Sequence, residues 1–575
     1  MSDTSGVSTT QETAIRHLGG ESGHRSFFGG TSSRGRTVGL AVFIVGGVVG
    51  LAFTSSLIVL FIAAAGAGVT MLVTARTHRG TIVQRRAKRS RWRARRRLGT
   101  DVYTPYDAEQ WARLQELMTT GTKQEKAAAE IAIAQMRANP DGADGMGWLQ
   151  YAANVPGIAW HAPVGQQPYL SVAFSVSGQL RGMETARALI RASAGWGKFL
   201  ARRASPSSLI SDVQPMTRVL PPDSARQQLW VTDRLETESP ENPWTAEQRT
   251  SFDAQTRSYD QVIRRASANA MVQRHYVVVS WPLNQQFTDA AAKFGTGRNA
   301  WRALMADQIT ATVRGLVDAR EGEVTALTAR QTAALIMHQQ NPHMPIDLTR
   351  HVDATKFGLP SHDEFSAHVV ESIDPTFVRN GFPTDTAPAV TWWHRTTAIH
   401  GEDLAVAGRS PLWCLDLLIG RELTFVRTIA FHLGLIPAGQ AKAAARADVV
   451  RDMAGVVSDR QKGRLVSDDS TTRMSAAKRR SADLAAGSHH HGVSWIGYIT
   501  ISAPTRDELA RASRQLEEAC ASGLGIDRLD WQDSFQAAAS GSTWPIGRGL
   551  SAASPSFATR ALGRLAGRSE KEAIS

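Results

Sequence analysis

Cysteine is almost missing from this chain: Cys414 and Cys520 are the only two in 575 residues, and they stand in no metal or redox spacing. Disulfides and a cysteine-ligated zinc are thereby excluded as organising devices, and both thiols are expected to be buried in a reducing compartment. The phosphate-binding pattern GxxxxGK[ST] is also missing. Its nearest look-alike is Gly195-Trp196-Gly197-Lys198, where Phe199 replaces the hydroxyl that would meet Mg²⁺. Those glycines are expected on an ordinary helix, and no nucleotide site, cofactor or metal is predicted. No nucleophile–base pair or carboxylate pair stands out, so the residues argue against an enzyme.

Charge is missing from Thr37 to Ala75, a run of 39 residues. One helix of that length would measure about 58 Å, roughly twice the ~30 Å hydrocarbon core of a bilayer. Two shorter helices fit better, about 37–53 and 57–75, turning at the polar cluster Thr54, Ser55 and Ser56. A signal peptide is the competing explanation, but the run starts late, is too long and has no cleavage site at a usable place. The expectation is a transmembrane hairpin at 37–75. Gly46 and Gly50 form a GxxxG pair within it.

Acid, in turn, is missing from the segment that follows. Arg76, Arg79, Arg85, Arg86, Lys88, Arg89, Arg91, Arg93, Arg95, Arg96 and Arg97 account for eleven of the +13 net charge, which leaves the rest of the chain close to neutral. A general DNA-binding surface on the folded body is therefore disfavoured. Placed beside the hairpin, these cations are read as membrane-interface residues touching anionic headgroups, with both chain termini on the cytoplasmic side. Contact with DNA is the alternative.

What remains is ample for a core, with 42% hydrophobic residues. Residues 1–36 are Ser-, Thr- and Gly-rich and expected to be disordered; 76–100 is the basic juxtamembrane segment, and 101–164 a helical and loop linker with a helix break at Gly121. Alternating apolar residues predict strands at Tyr169–Val176, Leu209–Val219, His275–Trp281, Val324–Leu327, Val390–Ile399, Glu422–Phe431, Val493–Ile501 and Ile526–Trp531. Helices are predicted at Met183–Arg203, Ser224–Leu235, Arg298–Arg320 and Ala329–Gln340, in a long charged stretch at 437–486, and after the capping box Thr505–Glu508. The fold class expected is α+β: the hairpin, then a cytoplasmic body of two ferredoxin-like units, 165–345 and 387–550, joined by a connector at 346–386 and followed by a tail at 551–575. His489, His490 and His491 are expected in a solvated turn, and His394 and His400 as structural groups flanking a strand.

The order of these features, with RHYVVVSW at 274–281, WWHRTTAI at 392–399 and GSHHHGVSWIGYITISAP at 487–504, resembles actinobacterial conjugal-transfer proteins. In these an inner-membrane hairpin subunit of type IV secretion is fused to the amino-terminal domain of its large ATPase, the CagE/TrbE/VirB family. Gln532, Phe535, Pro545, Ile546 and Gly547 match the Gln…Phe…Pro-x-Gly pattern that precedes the motor in that family. The resemblance covers about 35–105 and 165–550. With no phosphate loop present, it implies a membrane-anchored, non-catalytic scaffold of a conjugative secretion system. Its implied partners are membrane lipids, a separate motor ATPase, channel subunits and further copies of itself in a homo-oligomer. The 437–486 helix, the acidic loop 236–244 and the 551–575 tail are its expected contact surfaces, and 531–550 is expected to close the core of the second unit. A membrane component of type VII secretion and a membrane-tethered DNA-binding protein are the alternatives.

Overall fold

The structure is a computed structural model. It describes residues 16–18, 34–54, 56–74, 82–164, 166–178, 185–222, 243–267, 271–344, 346–347, 349, 352–373, 389–404, 407–409, 413–419, 423–443, 445–446, 449–450, 453, 482, 484, 491–526 and 528–549. Arg76, Arg79, His489, His490, helix 224–235, most of 236–244, most of 437–486 and the tail 551–575 lie outside the described residues.

Helices α1 (Arg34–Thr54) and α2 (Leu57–Thr74) form the hairpin expected from the charge-free run. Its helices meet on glycine. A Cβ on Gly47 would lie 2.6 Å from that of Ala63, one on Gly50 2.6 Å from Val59, and one on Gly39 2.9 Å from Thr70, while Gly66 lies under the Phe43 ring. Gly46 faces open space, so Gly47 and not Gly46 joins Gly50 at the contact. The transmembrane expectation is overturned: among the described residues no helix is long and apolar enough to cross a membrane. α1 spends its first turn on Arg34 and Arg36, and α2 has 18 residues, about 27 Å, short of the ~30 Å hydrocarbon core.

The basic segment is itself a helix, α3 (Ile82–Leu98). Two linker helices follow, α4 (Ala108–Thr120) and α5 (Lys123–Gln135), separated at Gly121. The Thr122 hydroxyl accepts from the Glu125 N–H while the Glu125 carboxylate accepts from the Thr122 N–H, a reciprocal cap that restarts the chain as helix. The body contributes α6 (Ala186–Arg203), α7 (Ala246–Ser267), α8 (Gln285–Ala292), α9 (Gly297–Asp318), α10 (Ala329–Gln340), α11 (Leu415–Ile419), α12 (Arg506–Gly523) and α13 (Gln536–Ser540). Gly195 and Gly197 lie inside α6.

The strands are β1 (Arg16–Leu18), β2 (Val102–Pro105), β3 (Met136–Arg137), β4 (Met146–Gln150), β5 (Ile158–His161), β6 (Tyr169–Val176), β7 (Asp212–Leu220) and β8 (Val272–Pro282). They continue with β9 (Val324–Ala326), β10 (Ser361–Asp363), β11 (His368–Ile373), β12 (Ala389–Ile399), β13 (Ala407–Arg409), β14 (Val426–Ile436), β15 (Gly492–Ala503) and β16 (Asp530–Trp531). β1, inside the stretch expected to be disordered, pairs with β13.

The other strands form one fourteen-stranded sheet in the order β3-β2-β10-β11-β12-β15-β14-β7-β8-β6-β5-β4, with β16 on β12 and β9 on β6. Every pairing is antiparallel except β2 with β3. The fold is therefore mixed α/β, and the two ferredoxin-like units of the expectation share a single sheet because β7 pairs with β14 along Arg427↔Val219 to Gly434↔Asp212.

Strand alternation gives the sheet two different faces. One carries Val172, Phe174, Val213, Val277 and Trp281 against α6, α8 and α9, and Ile399, Ile429, Ile499 and Ile501 against α12. The opposite face mixes an apolar patch of Ala173, Met216, Tyr276, Val278 and Ala430 with polar residues, Gln214, Arg218, Ser280, His394, Thr396, Thr428, His432, Thr500 and Ser502, all buried. It is roofed by α10 and by the segment from α13 to Gly547. A polar face reads as solvent-facing in sequence; a third layer makes it interior.

Candidate functional site

α3 holds nine cations and no acid in seventeen residues. Like charges four apart, such as Arg85, Arg89, Arg93 and Arg97, each cost an isolated helix about 0.2–0.5 kcal/mol. The helix is therefore held by partners elsewhere, and these belong to the closing segment that carries the resemblance. Lys88 Nζ donates to the Trp531 carbonyl at 2.6 Å and to Asp530 Oδ1 at 3.3 Å. Arg95 Nη1 donates at 2.6 Å both to Asp363 Oδ2 and to the Ser534 carbonyl. Its Nη2 donates to Asp141 Oδ2 at 3.0 Å and to the Thr100 carbonyl at 3.1 Å. The guanidinium groups of Arg95 and Arg91 lie 4.9 and 5.5 Å from the centre of the Phe535 ring.

Asp363, at the end of β10, is the anchor of this seam. Its side chain is fully buried, and the oxygen not used by Arg95 accepts the Ala537 N–H at 2.8 Å, which ties the first turn of α13 to the same carboxylate. Asp141 bridges Arg95 and Arg137; burial pushes its carboxyl above the usual range against the pull of both cations. Arg86, Arg89, Arg93, Arg96 and Arg97 point away and are exposed, and among the described residues none has an acidic partner. The cations predicted as one membrane-facing group are thus two groups.

Beyond Phe535 the chain crosses the polar face of the sheet. Gln536 Oε1 accepts the Thr396 N–H of β12 at 2.7 Å, and the Thr543 hydroxyl meets that of Thr500 on β15 at 2.8 Å. His432 on β14 and Gln214 on β7 donate to the Ser542 carbonyl, and Gln214 donates also to that of Trp544. The Tyr169 hydroxyl of β6 donates to the Ile546 carbonyl at 3.2 Å. The Gln532 side chain donates to the Asp530 carbonyl at 2.8 Å while its backbone N–H donates to the Thr396 carbonyl of β12 at 3.0 Å, and Pro545 and Ile546 are buried. Trp544 and Ile546 pack with Ala143, Met146, Ala159, Ala333 and Ile336. The stretch packs in the second unit's core only through Trp531, beside Ile399, Ile499 and Leu516; Trp544 and Ile546 fill a separate cluster between the 101–164 linker and α10, so the segment stitches both halves.

Gly547 ends the crossing at φ +68°, with its N–H on Gln214 Oε1 at 2.9 Å and with no room for a Cβ against the Ser280 hydroxyl. Gly547→Ala is expected to destabilise the protein by about 1–3 kcal/mol, from left-handed backbone strain and this contact together. Urea unfolding measures it, and an unchanged midpoint would refute the role given to the turn.

His394, expected as a structural group, is one, and His161 and His432 join it. His394 Nε2 donates to the Gln340 carbonyl and its Nδ1 accepts from the Ser502 hydroxyl, both at 2.8 Å. Burial pushes His394 and His161 down to about 3 and His432 to about 4, so all three are neutral near pH 7. Of the cysteines, Cys520 is buried and Cys414 half-buried. Among the described residues no three His, Cys, Asp or Glu side chains converge as metal ligands.

Asp141, Asp363, Gln214 and Thr500 were missed in sequence, and the signal that was available is parity. Gln214 and Thr500 alternate with apolar residues of strong strands, which marks a face without saying whether it is covered. Comparison with protein-family models and with curated proteins finds no match for this chain.

Proposed function

We propose that the protein is a non-catalytic scaffold subunit of a conjugative type IV secretion apparatus, held on the cytoplasmic surface of the cell membrane and docking a separate motor ATPase and channel subunits as a homo-oligomer. The observation that carries this is the placement of α3. On one side it adjoins a hairpin that exposes Phe53, Phe61 and Ile62; on the other it is bonded to the 530–537 segment, where the resemblance places the approach to the motor. A helix bonded in this way links a sticky anchor to a docking surface. The commitment of His161, His394 and His432 to buried hydrogen bonds further favours a scaffold over an enzyme.

Deleting the gene in a donor strain is expected to abolish DNA transfer, with the full chain restoring it. A photo-crosslinker at an exposed position such as Arg506 is expected to capture the motor ATPase encoded beside it. Normal transfer without the protein would overturn the proposal.

A further inference from the structure

We propose that the outward stripe of α3, formed by Arg86, Arg89, Arg93, Arg96 and Arg97, docks on an anionic phospholipid surface, with the apolar hairpin seated in the adjoining leaflet without crossing it. This rests on the membrane-surface scaffold proposed above and names its lipid class and contact residues.

At 3.6 residues per turn the five arginines fall within an arc of about 100°, whereas Lys88, Arg91 and Arg95 occupy about 60° on the other side. Lys88 and Arg95 of the second group are used up against Asp530, Asp363 and Asp141, and Arg91, though exposed, turns to the Phe535 ring. The first is exposed, and the segment from Arg76 to Arg97 contains no acid to neutralise it. From Arg86 to Arg97 the stripe runs about 16 Å along the helix, long enough to lie flat on several headgroups. Near an anionic leaflet each such cation strengthens partitioning roughly fivefold.

The hairpin selects lipid over other anions. α2 touches α3, and the pair α1–α2 exposes Val48, Phe53, Ile58, Phe61, Ile62 and Leu72. A nucleic acid matches the charge of the stripe but leaves these side chains in water, whereas a lipid leaflet satisfies both. The stripe is continuous with the seam at Arg95, so lipid docking also sets how the body faces the membrane.

The test is flotation of the full chain with phosphatidylcholine vesicles and with mixed phosphatidylcholine–phosphatidylglycerol vesicles, for the native protein, for a variant combining R86Q, R89Q, R93Q, R96Q and R97Q, and for R113Q. The native protein is expected to prefer the anionic vesicles and to lose that preference in high salt. The five-fold variant, whose unfolding midpoint should match the native one because all five sites are exposed, is expected to bind anionic vesicles at least about tenfold more weakly. R113Q, which removes an exposed cation from α4, should keep its lipid affinity. If native protein binds and the five-fold variant binds equally, or if binding ignores phosphatidylglycerol, the stripe is not the contact while the scaffold stands. If native protein binds neither vesicle, both fall. Loss of duplex DNA binding in the variant, with vesicle binding retained, would assign the stripe to nucleic acid and overturn the lipid proposal.

Discussion

Arg95→Ala is expected to lower the unfolding free energy by about 3–5 kcal/mol, the cost of leaving a buried charge without its partner. Asp363 would keep only the Ala537 N–H and the His368 ring at 3.6 Å, and the Ser534 and Thr100 carbonyls would lose their donor together. Arg95→Lys should recover part of the loss, since an ammonium keeps the charge but cannot reach two carboxylates and two carbonyls in one plane. Arg97→Ala, on the exposed side of the same helix, is the control and should change stability by less than about 0.5 kcal/mol. Urea unfolding followed by circular dichroism decides between them. Equal small losses for Arg95→Ala and Arg97→Ala would show that the seam contributes nothing to the fold.

Acid is expected to unfold this protein at a pH well above that at which its carboxylates protonate. His161 and His394 are held down to about 3 and His432 to about 4 by burial, against about 6.5 in the unfolded chain. Between those values the unfolded chain binds protons that the folded one refuses. Their contribution is therefore complete above about pH 6.5 and is lost as the pH falls toward 4 and 3. At pH 5 each imidazole removes about 2 kcal/mol of stability. Glu321 works in the opposite sense, because burial raises its carboxyl to about 7, and it offsets about one of the three. The net loss of about 4 kcal/mol by pH 5 is comparable to the whole stability of many domains. Unfolding midpoints measured from pH 7.5 to 4.5 should fall steeply. Imidazole resonances of these three residues should not titrate above pH 5, and a normal titration near 6.5 for any of them would sink its part of the account.

Local structure was largely legible. Tyr169–Val176 and Ala329–Gln340 lie at their predicted positions because alternation and helical periodicity there are set by neighbouring residues. The 101–164 linker is expected to hold only helix and loop, yet contains β4 and β5, whose strands of five and four residues are too short to show a period. The 526–531 strand shrank to Asp530–Trp531, which pairs with Ala398 and Thr397 of β12 just beyond the end of β11, while Ile526 bridges Leu404 instead. Of the site, the cations of α3 and the pattern from Gln532 to Gly547 stood out in sequence. Their union did not, because the partners Lys88 and Trp531 are 443 positions apart and Arg95 and Asp363 are 268 apart.

Composition and periodicity were enough to place the charge-free hairpin, the acid-free helix and the strong strands, since each depends on residues within a turn or two of one another. Tertiary structure alone decided that two units share one sheet, that Lys88 and Arg95 face inward while Arg86 and Arg97 face out, and that Gln214, His432 and Thr500 are interior. The physical reason is common to all three. Strand and helix periods assign a side chain to a face, but what that face meets depends on which distant segment lies against it: β14 beside β7, Asp530–Ser534 with Asp141 and Asp363 against α3, and Gln536–Gly547 over the sheet.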